Sequence, residues 1–158
     1  MKLSDKINNQ TIIIPLQATY KNEVMHELLD HFYKMNYLTS TEKLFSCLDN
    51  QDKEFNSASG RGVAFHYHTS IEINSALAVL GISKKGIDYN ACDGLLCHFI
   101  LLVLEPKNIP NTHRKYIRLF QDMIRDISIK EELLQSNSSL EVEKIIKIWE
   151  EKTINNIL

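Results

Sequence analysis

The chain has 158 residues, enough for one domain with a core of its own, and its 44% hydrophobic and 24% charged residues are those of an ordinary globular protein. Its 18 basic and 20 acidic residues nearly cancel, so no strong field points to nucleic acid or to a membrane surface. The longest uninterrupted apolar run, Phe99 to Leu104, is too short to span a bilayer, and the opening MKLSDKINNQ lacks the apolar stretch of a secretion signal. A cytoplasmic protein of a single domain, residues 1–158, without membrane insertion is therefore expected.

In chain order, residues 21–36 place Val24, Met25, Leu28, Leu29, Phe32 and Met35 on one stripe and predict an amphipathic helix. Thr39, three residues before Glu42, reads as a capping box opening a second short helix. All five glycines (60, 62, 81, 86 and 94) then fall in one block, which holds the strand patterns. Residues 62–65, 73–82 and 95–104 read as strands, the last two apolar on both faces as expected of strands buried inside a layered sheet. After Pro106 and Pro110 a helix begins near Thr112, with Asn111 as N-cap and Tyr116, Leu119, Phe120, Met123 and Ile124 as its apolar stripe. Ser128 with Glu131 and Ser138 with Glu141 predict two further capping boxes, and the last helix carries Val142, Ile145, Ile146 and Trp149. Helices, then strands, then helices predict an α/β layered domain with a mixed β-sheet flanked by helices.

The residues able to carry chemistry are few. Cys47, Cys92 and Cys97 are an odd number without metal-type spacing and read as reduced, buried thiols. Gly60 and Gly62 precede a strand and lack the third glycine of a dinucleotide fingerprint, so they read as a tight turn needing positive φ. His26 and His31 read as surface residues paired with Asp30 and Glu27, and His98 as a core histidine with a local partner. His66 and His68 would share one face of a strand, the spacing of two metal ligands, but no third ligand accompanies them. His113 falls in the first turn of a helix, where backbone N–H groups favour an anion and suit a neutral imidazole beside a phosphoryl group.

Several of these motifs, taken together, carry a resemblance. Gly60-x-Gly62-Val63-Ala64-Phe65 matches a Gly-x-Gly-aliphatic-Ala-aliphatic-Pro-His pattern as far as its proline. GIDYNACDGLLCHFILLVLEP matches a second pattern through Asp93, Gly94 and Pro106. Over residues 3 to 150 the chain resembles the type 2 enzyme IIA domain of the phosphoenolpyruvate-dependent phosphotransferase system, with the nitrogen-regulatory enzyme IIA as the nearest branch. The resemblance aligns His113 with the family's second active-site histidine. His66 stands where the family has its proline and Tyr67 where it has the phosphorylated histidine. Gln51, followed by Asp52, stands where it has an arginine. Gln51, Gly60 and Gly62 then occupy the places of groups that steady the phosphoryl oxygens.

The resemblance implies a phosphocarrier fed by an HPr-type phosphocarrier protein, with no cofactor. The departures argue against transfer. A tyrosine hydroxyl with a pKa near ~10 is a weak nucleophile without an adjacent base. Glutamine donates a hydrogen bond but brings no charge to the equatorial oxygens. The leading expectation is a regulatory enzyme IIA-like component that binds a partner, such as a transporter or a sensor kinase, in a permanently unphosphorylated form. A second reading is an active carrier on His66 or His68, reached by a one-residue slip that would also reverse the faces of Val63 and Phe65. A third is a metal-binding module built on His66, His68 and His113.

Overall fold

The computed structural model describes residues 2–157. After a 3₁₀ turn at Leu3–Asp5 the chain forms β1 (Ile12–Ile13), α1 (Lys21–Lys34), α2 (Glu42–Glu54), β2 (Ala58–Gly60), β3 (Val63–Ser70), β4 (Leu77–Ile87) and β5 (Cys97–Pro106). Three helices follow, α3 (Thr112–Ile124), α4 (Ile127–Gln135) and α5 (Ser139–Ile157). The strands make one sheet in the order β1-β4-β5-β3-β2. β1 runs parallel to β4 and β3 parallel to β5, whereas β4/β5 and β2/β3 are antiparallel. This is the mixed sheet, flanked by helices, that the element order predicts.

The central strand explains the layering. Phe99, Leu101 and Val103 of β5 join one apolar cluster with Tyr116, Phe120, Met123 and Ile124 of α3, Leu133 of α4, and Val142 and Ile146 of α5. Ile100, Leu102 and Leu104 alternate to the other face and join Val24, Met25, Leu28, Leu29 and Phe32 of α1 and Leu48 of α2. All six β5 side chains are fully buried, each contributing about 1.5–3 kcal/mol of transfer free energy. The buried stripes on α1 and α3 are those that the periodicity predicts.

Some local expectations are corrected. Of the three cysteines only Cys97 is buried; Cys47 and Cys92 are exposed. β3 continues to Ser70, five residues past the predicted end, because its polar residues still pair in register with β5 as far as Pro106. Thr39 does not cap α2; its backbone N–H and hydroxyl donate to Glu72, and Thr41 stands at the N-cap without a side-chain bond. Asp126, not Ser128, caps α4, accepting from the Ser128 and Ile129 amides. Ser138 does accept from the Glu141 amide, while the Glu141 carboxylate reaches back to Asn137 N. On α1 the expected pairs give way to longer contacts. His26 stacks on Phe45, Glu27 accepts from the Gln17 and Ala18 amides, and His31 bonds the Gln10 carbonyl.

Two glycine-dependent features shape β3 and β4. The β2–β3 turn holds three successive positive φ values, 91° at Gly60, 58° at Arg61 and 80° at Gly62, as the Gly-x-Gly spacing predicts. In β4 the register with β5 shifts between Ile82 and Ile87, and a Cβ at Gly86 would lie 2.7 Å from Leu96 Cβ. His98 packs against this bulge and bonds the Ser83 carbonyl through Nδ1 at 2.8 Å, the local partner expected of it.

Candidate functional site

Alternation along β3 sends His66, Tyr67 and His68 to different environments. Val63 and Phe65 turn toward α3, Phe65 meeting Phe120 edge-on at 6.0 Å. Tyr67 follows on that face, and its ring lies flat on that of His113, the centroids 3.7 Å apart and the planes within 4°. At that separation the rings overlap nearly face to face, and the pair brings a strand residue and the first turn of α3 into contact. Tyr67 remains 39% exposed and His113 only 7%.

His113 is held from behind by Glu105, a carboxylate 5% exposed at the end of β5. Glu105 Oε2 accepts from both the backbone N–H and Nδ1 of His113, each at 3.0 Å, and Oε1 accepts from the Asn111 amide at 3.2 Å. Burial alone would push the Glu105 carboxyl up, but these hydrogen bonds and the facing imidazole outweigh it and hold it below the ordinary carboxylate value. An ionised carboxylate only accepts, so Nδ1 of His113 carries a proton. Among the described residues every buried side-chain nitrogen or oxygen has a partner. Nε2 has none, so it reaches solvent.

Asn111 is the N-cap of α3 by position, at φ 67°, but its side chain makes no cap bond. Glu105 caps the helix instead. The anion expected at this helix end is thus present, and it belongs to the chain itself.

The opposite face of β3 is sealed. His66 is 4% exposed, with Nδ1 3.2 Å from Ser57 Oγ and Nε2 3.0 Å from the Tyr89 hydroxyl. Burial lowers its pKa to about 4, so the ring is neutral at physiological pH. Beside it, Asp52 accepts from the Ser57 amide and pairs with Lys21, whose ammonium also stands 5.2 Å over the Tyr89 ring. Burial pushes Asp52 up, but the bonds from Lys21 and Ser57 prevail and hold it low, while burial drives the Tyr89 phenol well above its ordinary value. His68 shares the His66 side, half-buried, with Nδ1 on the Thr69 carbonyl at 2.8 Å.

Of the residues singled out in the sequence, Tyr67 and His113 are brought together. His66 and His68 are turned away from them by the pleat, so the metal triad with His113 does not assemble. Among the described residues no group of three His, Cys, Asp or Glu side chains is placed to hold an ion. Gly60 and Gly62 lie at the other end of β3, five residues or about 16 Å from Tyr67 in the case of Gly62. Gln51 is half-buried on α2, the helix that packs on the His66 side of the sheet. Sequence reasoning missed Glu105, whose signal was a single carboxylate closing an otherwise apolar strand just before a proline.

The sequence profile described as "Phosphoenolpyruvate-dependent sugar phosphotransferase system, EIIA 2" matches residues 5–148. The chain is 25% identical over 139 residues to the PTS system fructose-specific EIIABC component of Bacillus subtilis, covering 87% of this chain but only 22% of that protein's length. It is 26% identical over 155 residues to a nitrogen regulatory protein homolog of Haemophilus influenzae, covering 95% of this chain and 92% of the relative. Among solved structures, the nitrogen regulatory protein IIA-Ntr of Neisseria meningitidis superposes with a TM-score of 0.75 at 19% identity, covering 91% of this chain and 98% of that one. IIA mannitol of Escherichia coli gives 0.74 at 16%, with 89% and 99% covered. The same mannitol enzyme, in its complex with phosphorylated enzyme IIB, gives 0.73 at 16%, with 90% and 97% covered. At these identities the structural matches speak to the fold.

Proposed function

Since this chain belongs to the EIIA type 2 family of the phosphoenolpyruvate-dependent sugar phosphotransferase system, we propose that it is a regulatory EIIA-like component that binds partner proteins without being phosphorylated. The observation that carries this reading is the Tyr67–His113 stack. By the family pattern Tyr67 holds the acceptor position, and it lies against the histidine aligned with the family's second active-site histidine. The Tyr67 hydroxyl makes no hydrogen bond to a base among the described residues; His113 meets its ring face-on, and His113 Nδ1 is committed to Glu105. An aryl phosphate would also be a poor donor for onward transfer.

The slipped alternative, with His66 as acceptor, meets a specific obstacle. Both ring nitrogens of His66 are bonded inside the α1/α2 face, so no lone pair is presented at the surface. A slip would have to break these bonds and expose Phe65 and Val63 in exchange. His68 keeps Nε2 without a partner among the described residues, which makes it the histidine variant to include in any test.

The surface around the stack suits a protein partner. Because β3 and β5 are parallel, their C-terminal ends coincide, and there Tyr67, Ile71 and Ile109 are 39%, 86% and 50% exposed. An exposed aromatic with aliphatic neighbours, edged by the exposed Lys107, Arg114 and Arg118, has the composition of an interface centre and its rim. The mannitol relative is itself found bound to phosphorylated enzyme IIB. We assign the partner here to a regulated protein, such as a transporter or sensor kinase, with an HPr-type carrier as a further visitor of the same face. Cytoplasmic residence is part of this proposal; among the described residues no helix is long and apolar enough to cross a membrane.

The test is intact mass after incubation with phosphoenolpyruvate, enzyme I and HPr. The proposal expects no gain for the natural chain. An acid-labile gain that vanishes in His68→Ala or His66→Ala would replace it with the active carrier.

A further inference from the structure

Glu105 is a carboxylate buried in a strand whose inward positions are otherwise apolar. An ionised group at that depth is unfavourable unless donors converge on it, and here three do. They are the amides of Asn111 and His113 at the start of the thirteen-residue helix α3, and Nδ1–H of His113. These are also the groups that this end of the fold would otherwise offer to an anion.

We infer that Glu105 is a built-in anion that occupies the α3 amides and His113 Nδ1, closing them to an external phosphoryl group. This rests on the reading of the site given above and adds to Tyr67 a second feature that disfavours a phosphoryl group there. A phosphoryl group approaching beside Tyr67 finds these donors engaged and meets a like charge behind His113. The same carboxylate holds a proton on His113 Nδ1 and so fixes the orientation of the ring against which Tyr67 stacks. Glu105 is thus a positioning residue for His113 and a competitor for its ligands.

The contrast with Asp52 supports the assignment. Asp52 is buried to a similar degree but pairs with a lysine, as an ordinary structural carboxylate does. Glu105 pairs with no Lys or Arg among the described residues; its donors are a helix end and a site histidine.

The test uses inorganic phosphate as the probe and the His113 ring resonances as the readout, for the full chain and its Glu105→Ala variant. The natural protein should show no saturable shift, whereas Glu105→Ala, with space and donors freed, should bind phosphate at His113 at least about tenfold more tightly. Glu105→Gln keeps the volume and removes the charge, and should move the same way by a smaller factor if the alanine variant does not fold. Equal phosphate binding at His113 in the natural chain, or none in a folded variant, overturns the inference. Because inorganic phosphate needs no carrier protein, that failure would leave the unphosphorylated-binder reading to be judged by its own mass measurement.

Discussion

The two faces of β3 treat neighbouring residues in opposite ways. On the α1/α2 side, His66 is enclosed, neutral and bonded through both nitrogens, within a network that runs from Lys21 through Asp52 and Ser57 to Tyr89. On the α3 side, one residue later, Tyr67 is partly exposed and rests on a histidine whose Nε2 is free to meet solvent. Polar residues are thus used on one face to fix the strand against its helices and on the other to build a surface site. The family position alone would have made both His66 and Tyr67 look functional; the pleat separates them.

That comparison is broken most severely at His66. Replacing it with alanine leaves the buried Tyr89 hydroxyl and Ser57 without their partner and opens a cavity, and should cost about 3–4 kcal/mol in a urea denaturation. The pH dependence follows from the same burial. The unfolded ring protonates near its ordinary 6.5 and the folded ring only near about 4, so the unfolded state binds the proton more strongly between these values. Stability on this account is complete above pH 6.5 and falls by roughly 3 kcal/mol as pH drops toward 4. Denaturation midpoints measured across that window should show the loss, and His66→Gln, which cannot protonate there, should flatten it. Tyr67→Ala makes the smallest change, about 1 kcal/mol for a partly exposed stack, and sharpens the contrast if it leaves the pH profile in place.

Much of the frame could be read from the chain because it depends on local periodicity. The stripes of α1 and α3 and the continuous apolar run of β5 report burial directly. The Gly60–Gly62 turn was equally legible, since only glycine is comfortable on both sides of Arg61 at these φ values. β2 was not, being three residues long. The apolar pattern of β3 stops at Phe65, while its pairing with β5 continues to Ser70, so periodicity marks only its first half.

The site was half legible for a related reason. Tyr67 and His113 stand at marked places in spaced motifs, but their stacking depends on how β3 and α3 meet across the sheet. Thr39 illustrates the limit on caps: its partner, Glu72, lies thirty-three residues away, and no local spacing announces it. Glu105 was hidden for the opposite reason. Its donors are only six and eight residues on, yet two of the three are backbone amides, which no side-chain motif records.

The most direct test of the central claim is phosphorylation of Tyr67→His by phosphoenolpyruvate, enzyme I and HPr, read by intact mass beside the natural chain and Tyr67→His/Glu105→Gln. If Tyr67 fills an acceptor position on an otherwise intact face, the single variant gains one acid-labile phosphate that the natural chain does not, and the double variant gains it faster. Phosphate on the natural chain, or none on either folded variant, would contradict the account.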